Sequence, residues 1–328
     1  MSEQNSLLIE EILTLKKNRR AVVLAHNYQI DEVQEIADVT GDSLELARAG
    51  RDADCETIVL CGVLFMAESA AILSPEKKVL LPEPDAVCPM ADMIELDRKR
   101  KVWKKYPGYE KQPEFIFPHE FTLRDMKDKY PGAPVVAYVN TPAAVKAESD
   151  VCCTSSNVIS VVNSLPDETV ICIPDKNLSM WAQKNTKKRI ISWDGFCHVH
   201  DRVTVHDVQS ARKVYPNAEF LAHPECRIEV LEIADHVTST SGMLKYVKTS
   251  AVREFIVGTE RGLLYRLRKE NPGKLFHALR EDMLCPNMKR TNLESILHAL
   301  KNMEHVVTVP EEISVRAKKA LDRMVAIT

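Results

Sequence analysis

The chain is expected to adopt an α/β fold: three repeated α/β/α domains with parallel sheets, set around a pseudo-threefold axis. Three observations predict it. An apolar run ending in Ala and then a ring residue occurs three times, at VVLAH (22–26), VVAY (135–138) and FLAH (220–223), ending in His26, Tyr138 and His223. The positions that follow match as well: Val33, Val145 and Val230 seven residues on, Asp38, Asp150 and Asp235 twelve on, and the hydroxyl residues Ser43, Ser155 and Thr240 seventeen on. Finally, a cysteine follows each hydroxyl at nearly constant distance: Cys88 after 45 residues, Cys197 after 42 and Cys285 after 45. The offsets between repeats far exceed the roughly 20 to 50 residues of solenoid units, so each repeat is long enough to hold its own sheet.

The elements follow from apolar periodicity. Repeat 1 alternates short apolar runs with helical patterns: AVVLAH (21–26), DEVQEIAD, SLELARAG, TIVLCG (57–62), FMAESAAIL and KVLLP (78–82). Apolar runs of this length between helical segments predict buried parallel strands joined by crossover helices. Repeat 2 gives PVVAYV, AAVKAESD, SNVISVVNSL, TVICIP, LSMWAQKN and RIISW in the same order. Repeat 3 gives AEFLAH, RIEVLEIAD, SGMLKYVKT, REFIVG, TERGLLYRLRKE and a short strand around KLFHAL. An amphipathic helix precedes the repeats and a second one, 311–327, closes them. The stretch 94–121 breaks the symmetry and is charged, aromatic and rich in Pro, which predicts a surface insertion. The resulting division is a helix in 1–19, repeat 1 in 20–93, the insertion in 94–121, repeat 2 in 122–214, repeat 3 in 215–309 and a helix in 310–328.

The 328 residues carry a formal net charge of −3, with basic residues spread along the chain, which gives no support to a nucleic-acid partner. No apolar run approaches the length of a membrane span, and the N-terminus lacks the pattern of a signal peptide. A cytoplasmic location is expected, where the nine cysteines stay reduced or hold metal.

Loops after the carboxyl ends of parallel strands face the binding crevice, and His26, Tyr138, His223 and the repeated cysteines fall in or beside such loops. Three thiolates from three domains can hold zinc, or an iron–sulfur cluster with one iron lacking a protein ligand. There is no C-x-x-C of the ferredoxin kind. An open iron can act as a Lewis acid on a substrate oxygen. Cys61 and Cys172 lie inside apolar strands and read as structural; Cys55, Cys152, Cys153 and Cys226 have no equivalent in all three repeats, although Cys226 follows His223 closely enough to line a site.

Ser43, Ser155 and Thr240 each open a helical segment. Singly each reads as an N-cap; three such starts facing one axis predict a ligand with several anionic groups. Two residues beyond His26, Tyr138 and His223 stand Tyr28, Asn140 and Glu225. Glu225 is the one carboxylate in that set and hence the candidate general base, with Tyr28, Tyr138, His26 and His223 orienting or protonating oxygens and Asn140 binding a carboxylate. No dinucleotide, P-loop or zincin motif occurs.

Together AHNYQ…AD…GDS (25–43), CPMADM (88–93), YVNT…VKAESD…CTSSN (138–157), WDGFCHVH (193–200), AHPEC (222–226), TSTSGM (238–243), GTERG (258–262) and CPNMKRTNLE (285–294) resemble the quinolinate synthase family over nearly the whole chain. The resemblance implies a [4Fe-4S] enzyme of NAD biosynthesis that condenses iminoaspartate with dihydroxyacetone phosphate to quinolinate, with loss of phosphate and water. It implies cluster ligation by Cys88, Cys197 and Cys285. The implied substrate contacts are His26, Ser43, Tyr138, Asn140, Ser155, His223, Glu225 and Thr240, with Tyr28 and His200 nearby and His200 added to the catalytic set on this ground alone. Because iminoaspartate is unstable in water, coupling to an aspartate-oxidising enzyme is expected. The competing readings are an open-iron hydro-lyase acting on another hydroxy acid, and a non-catalytic iron–sulfur or zinc sensor.

Overall fold

The structure, a computed structural model, describes residues 3–94 and 122–327. The insertion expected at 94–121 therefore lies outside the described residues except for the buried Ile94. The described residues form three four-stranded sheets, every strand pair parallel.

The first unit runs β1 (Ala21–His26), α2 (Asp31–Ile36), β2 (Val39–Gly41), α3 (Ser43–Asp52), β3 (Thr57–Cys61), α4 (Leu64–Leu73) and β4 (Lys78–Leu80), after the N-terminal α1 (Glu3–Asn18). The second comprises α5 (Leu123–Lys129), β5 (Val135–Tyr138), α6 (Ala143–Ala147), β6 (Val151–Cys153), α7 (Val158–Ser164), β7 (Thr169–Ile173), α8 (Lys176–Lys184) and β8 (Arg189–Ser192). The third comprises α9 (Val205–Val214), β9 (Glu219–Ala222), α10 (Ile228–Leu231), β10 (His236–Val237), α11 (Thr240–Thr249), β11 (Glu254–Gly258), α12 (Leu263–Glu270) and β12 (Leu275–Ala278).

Each sheet has the same strand order, β2-β1-β3-β4 in the first and its equivalents in the others. The order reverses between the first and third strands of each unit, so the first strand ends at a topological switch point, where open α/β sheets bind ligands. Three strands per unit are expected from the apolar runs; the structure has four. The extra ones, β2, β6 and β10, are only two or three residues long, too short to display a period.

The Asp repeated twelve residues into each unit explains those short strands. Asp38 Oδ2 accepts the Val23 N–H, Asp150 Oδ2 that of Val135 and Asp235 Oδ2 that of Phe220, each at 2.7 Å. The Asp N–H groups donate in turn to the carbonyls of the same three residues. Each Asp thus pins the start of the second strand to the first. Asp150→Ala is expected to lower stability by about 1–2 kcal/mol, and Asp150→Asn, which keeps an acceptor, by less; urea denaturation of the two variants checks this.

A second threefold device is hidden in the lysines before the fourth strands. Lys77 Nζ donates to the carbonyls of Gly50, Arg51 and Ala53 at 2.7–2.9 Å. Lys188 donates to Leu165 and Asp167, and Lys274 to Val247 and Ser250. These carbonyls lie at the C-terminal ends of α3, α7 and α11, where the helix dipole favours a cation. At or just before the opposite ends of the same helices, Ser43, Ser155 and Thr240 line one cavity.

After the third unit the chain returns to the first. Helix α13 (Leu293–Asn302) packs on α1 and β3, and its Leu293, Ile296 and Leu300 join Ile12, Val23 and Val59 in one core. Helix α14 (Glu311–Ala326) then lies across α4, α6 and β6, bridging units 1 and 2. It buries Ala317, Ala320, Leu321, Met324 and Val325, the larger of which contribute roughly 1.5–3 kcal/mol each.

Candidate active site

The switch points of the three units open onto one buried cavity. Its wall carries the repeated ring residues His26, Tyr138 and His223, with Tyr28, Asn140 and Glu225 two positions on. Ser43, Ser155 and Thr240 line it, as do His200 and the thiols of Cys88, Cys197 and Cys285. Every side chain singled out from the sequence for the site therefore meets the others here. Cys226 does not line the cavity; it is fully buried, with Sγ 3.7 Å from the Gly258 carbonyl oxygen.

The hydroxyl residues occupy slightly different places from those the helical pattern suggests. The N-cap of α3 is Asp42, whose Oδ1 accepts the Leu44 and Glu45 N–H groups at 3.0 Å, and that of α11 is Ser239. Ser43 and Thr240 are the first helical residues, so their hydroxyls are not consumed as caps. Ser155 lies in the turn before α7, which begins at Val158 after Asn157. The units are tied together at this level. Ser156 Oγ lies 2.6 Å from Asp42 Oδ2 and 2.8 Å from Ser239 Oγ, and Asn27 Nδ2 donates to Thr240 Oγ1 at 2.9 Å.

The cysteine loops are fixed by their neighbours. Trp193 Nε1 donates to the Met93 carbonyl at 3.0 Å, joining the Cys197 loop to the Cys88 loop. Gly195 permits that path, because a Cβ there would come within 2.5 Å of the Pro174 carbonyl oxygen. The Cys285 N–H donates at 3.2 Å to Glu260, a fully buried carboxylate paired with Lys289 at 3.0 Å.

Burial raises the Cys88 and Cys197 thiols far above their ordinary range and pushes Cys285 up to about 11. Thiols so placed become thiolates when a cation compensates the lost solvation. All nine cysteines are free of disulfides. Among the described residues, the group whose ligand atoms all come within 4.8 Å of one another is Cys197, His200 and Glu225, not the three thiols. A single tetrahedral zinc with Zn–S bonds of about 2.3 Å would require closer sulfurs. Three soft donors spread around one cavity fit a larger, multinuclear group.

Around Glu225 the titratable groups are densely coupled. Burial alone would raise its carboxyl, but the His200 and His223 imidazoles hold it well below the usual carboxylate range. Glu225 Oε2 stands 2.8 Å from His200 Nδ1 and 3.4 Å from His223 Nδ1, and the two imidazoles stack with centroids 4.7 Å apart. Burial keeps the Tyr28 and Tyr138 phenols protonated, with the Glu225 charge adding to the effect. Burial also lowers His26 to about 4, leaving a neutral imidazole whose Nδ1 accepts the Tyr28 N–H at 3.2 Å. The same bond joins the Glu225 N–H to His223 Nδ1 at 3.4 Å. Asn140 Oδ1 is buried and finds no partner among the described residues, as a side chain reserved for a ligand would.

Sequence reasoning missed Asp42, Glu260, Lys289 and Thr259, all of which hold the singled-out residues in place. No periodic signal marks them. Their roles depend on contacts across unit boundaries, for example the 231 residues that separate Tyr28 from Thr259.

Fold and cavity define the class: a three-unit α/β enzyme in which carboxylate, imidazole, phenol, hydroxyl and thiol side chains converge on one cavity. The protein-family model described as "Quinolinate synthetase A protein" matches residues 10–326. Curated relatives named quinolinate synthase are 50% identical over 320 residues in Thermodesulfovibrio yellowstonii, 97% of this chain and 98% of the relative, and 51% identical over 325 residues in Methanoregula boonei, 99% and 100%. One from Dehalococcoides mccartyi is 52% identical over 322 residues, 98% of this chain and 99% of the relative. The chain belongs to the quinolinate synthase family of enzymes. None of its described helices is long and apolar enough to cross a membrane.

Proposed function

We propose that the chain condenses iminoaspartate with dihydroxyacetone phosphate to form quinolinate for NAD biosynthesis, releasing phosphate and water, with a [4Fe-4S] cluster held by Cys88, Cys197 and Cys285. The observation that carries the reading is the convergence of three thiols, three hydroxyl residues and the Glu225 cluster on one cavity. Bound by three cysteines, such a cluster leaves one iron without a protein ligand, which supplies Lewis-acid polarisation of a substrate oxygen.

The chain's own residues take the remaining roles. Iminoaspartate brings two carboxylates and dihydroxyacetone phosphate one phosphate, and Ser43, Ser155 and Thr240 stand on the cavity wall for these anions. Asn140 binds a substrate carboxylate through its amide. Tyr28 and Tyr138, kept as neutral phenols, orient oxygens and donate protons to them, beside His26 and His223. Glu225 moves carbon-bound protons. A carboxylate held so low is a weak base in the empty site, and the arrival of anionic substrates raises its proton affinity when it is needed. Supply of iminoaspartate by an aspartate-oxidising enzyme accords with its instability.

A second reading has one observation in its favour: Cys197, His200 and Glu225 are close enough to bind a single ion. Anaerobic purification with iron and sulfide analysis, alongside an assay for quinolinate from the two substrates, separates the readings. About four irons and four sulfides per chain together with quinolinate support the proposal. A single metal ion without sulfide, or a full cluster without quinolinate, overturns it.

A further inference from the structure

The cavity wall carries three carboxylates, Asp42, Glu225 and Glu260, and among the described residues that line it there is neither a lysine nor an arginine. A site read as taking three anions must therefore draw positive potential from behind its wall. One route lies behind Thr240. Asn27 follows β1, is fully buried and stands off the wall, and its Nδ2 lies 2.9 Å from Thr240 Oγ1. Its Oδ1 lies 3.1 Å from Nη1 of Arg266, a partly exposed side chain of α12 that also donates to the Thr40 carbonyl at 2.6 Å.

The outer end of this chain sets its direction. A guanidinium has donors only, so the atom of Asn27 that faces Arg266 is the amide oxygen, and the group that faces Thr240 is the NH2. Thr240 Oγ1 accordingly accepts from Asn27 and keeps its single proton to give. No other partner for that hydroxyl occurs among the described residues. The proton is left for an acceptor in the cavity, such as a carboxylate or phosphate oxygen. Each bond polarises the next, so part of the Arg266 charge is felt at the cavity end. The Asn27 backbone is held as well: its N–H donates to the Gly41 carbonyl at 3.0 Å, and its carbonyl accepts from Gln34 Nε2 at 3.3 Å.

We propose that Asn27, oriented by Arg266, is a positioning residue that fixes the Thr240 hydroxyl as a donor and so selects an anionic group at that point of the wall. The proposal deepens the functional reading above and rests on it for the identity of the substrates. The relay crosses a unit boundary twice, from Arg266 in α12 of unit 3 to Asn27 after β1 of unit 1 and back to Thr240 in α11 of unit 3. Its effect falls on the binding of one anion, since Glu225, the candidate general base, is not in the chain.

Asn27→Asp tests it, because Asp keeps the size of the side chain and its tie to Arg266 but offers Thr240 an acceptor in place of a donor. The Thr240 proton then turns inward and its lone pairs meet the ligand. In anaerobically prepared holoenzyme, KM for one of the two substrates is expected to rise on the order of 10- to 100-fold, with KM for the other and kcat within about threefold of wild type. Thr240→Val is expected to raise the same KM, and Asn27→Asp added to it to cost less than about threefold more. An unchanged KM in Asn27→Asp, equal rises in both KM values, a fall in kcat at unchanged KM, or a full further loss in the double variant overturns the proposal. Should Asn27→Asp fail to fold, Arg266→Met, which alters a partly exposed side chain and frees the amide to turn, is expected to raise the same KM as Thr240→Val, and an unchanged KM there overturns the proposal. Should the wild type itself form no quinolinate, the functional reading falls first. Calorimetric titration with succinate and with inorganic phosphate then decides the relay: weaker binding of either anion to Asn27→Asp than to wild type upholds it, and equal binding, or none to the wild type, refutes it.

Discussion

Cys197→Ser is expected to abolish quinolinate formation and to strip the protein of most of its iron. The loss should exceed the roughly 10- to 100-fold typical of residues that only support a metal ligand. A serine hydroxyl is a hard donor with a proton affinity far above that of a thiol, and burial makes its anion less accessible still. Cys197 is also tied to its own loop: its carbonyl accepts the Asp201 N–H at 2.8 Å and its Sγ lies 3.2 Å from His200 Nδ1. Cys61→Ala is the matched control, since Cys61 is fully buried within β3, away from the cavity. It should keep iron, sulfide and turnover. Retention of iron and turnover by Cys197→Ser would remove this cysteine from the ligand set.

Glu225→Gln is expected to lower kcat by about 10²- to 10⁴-fold, the range associated with loss of a positioned acid–base group, with little change in KM. Gln matches Glu in shape and still offers an oxygen to His200 or His223, but it cannot accept a proton from carbon. Iron analysis of the same variant gives a second answer. A cluster held by three cysteines is indifferent to the exchange, whereas an ion bound by Cys197, His200 and Glu225 would lose a ligand and dissociate. Near-normal kcat in Glu225→Gln would remove this residue from the chemistry.

The first, third and fourth strands of each unit were legible in the sequence because runs such as TIVLC and TVICI are continuous, apolar and of strand length. The second strands were not, since VTG, VCC and HV carry no period. Their position was nonetheless encoded in Asp38, Asp150 and Asp235, whose regular recurrence was visible while its physical meaning, a side chain bonded to the neighbouring strand's backbone, was not. At the site, counting from the repeat sufficed to bring His26, Tyr138 and His223 together, because identical units place equivalent residues at equivalent points. Counting could not separate Ser43 from the cap Asp42 beside it, a difference of one residue that decides whether a hydroxyl is free. Nor could it find Thr259, whose partners lie on other units and whose position in its own repeat is unremarkable.

The route of α14 has a kinetic consequence. Each four-stranded sheet is built from segments close in sequence, so each unit can form early and on its own. The contacts of α14 with the first two units join residues far apart in sequence, including Arg316 with Glu148, 168 positions apart, and Arg48 of α3 with the Val325 carbonyl, 277 apart. Such pairings carry a large loop-closure cost and form late. Until they form, the apolar face that receives Leu321 and Met324 is bare, and units 1 and 2 lack their clamp. The clamp that joins units 1 and 2 is thus a product of the final folding step.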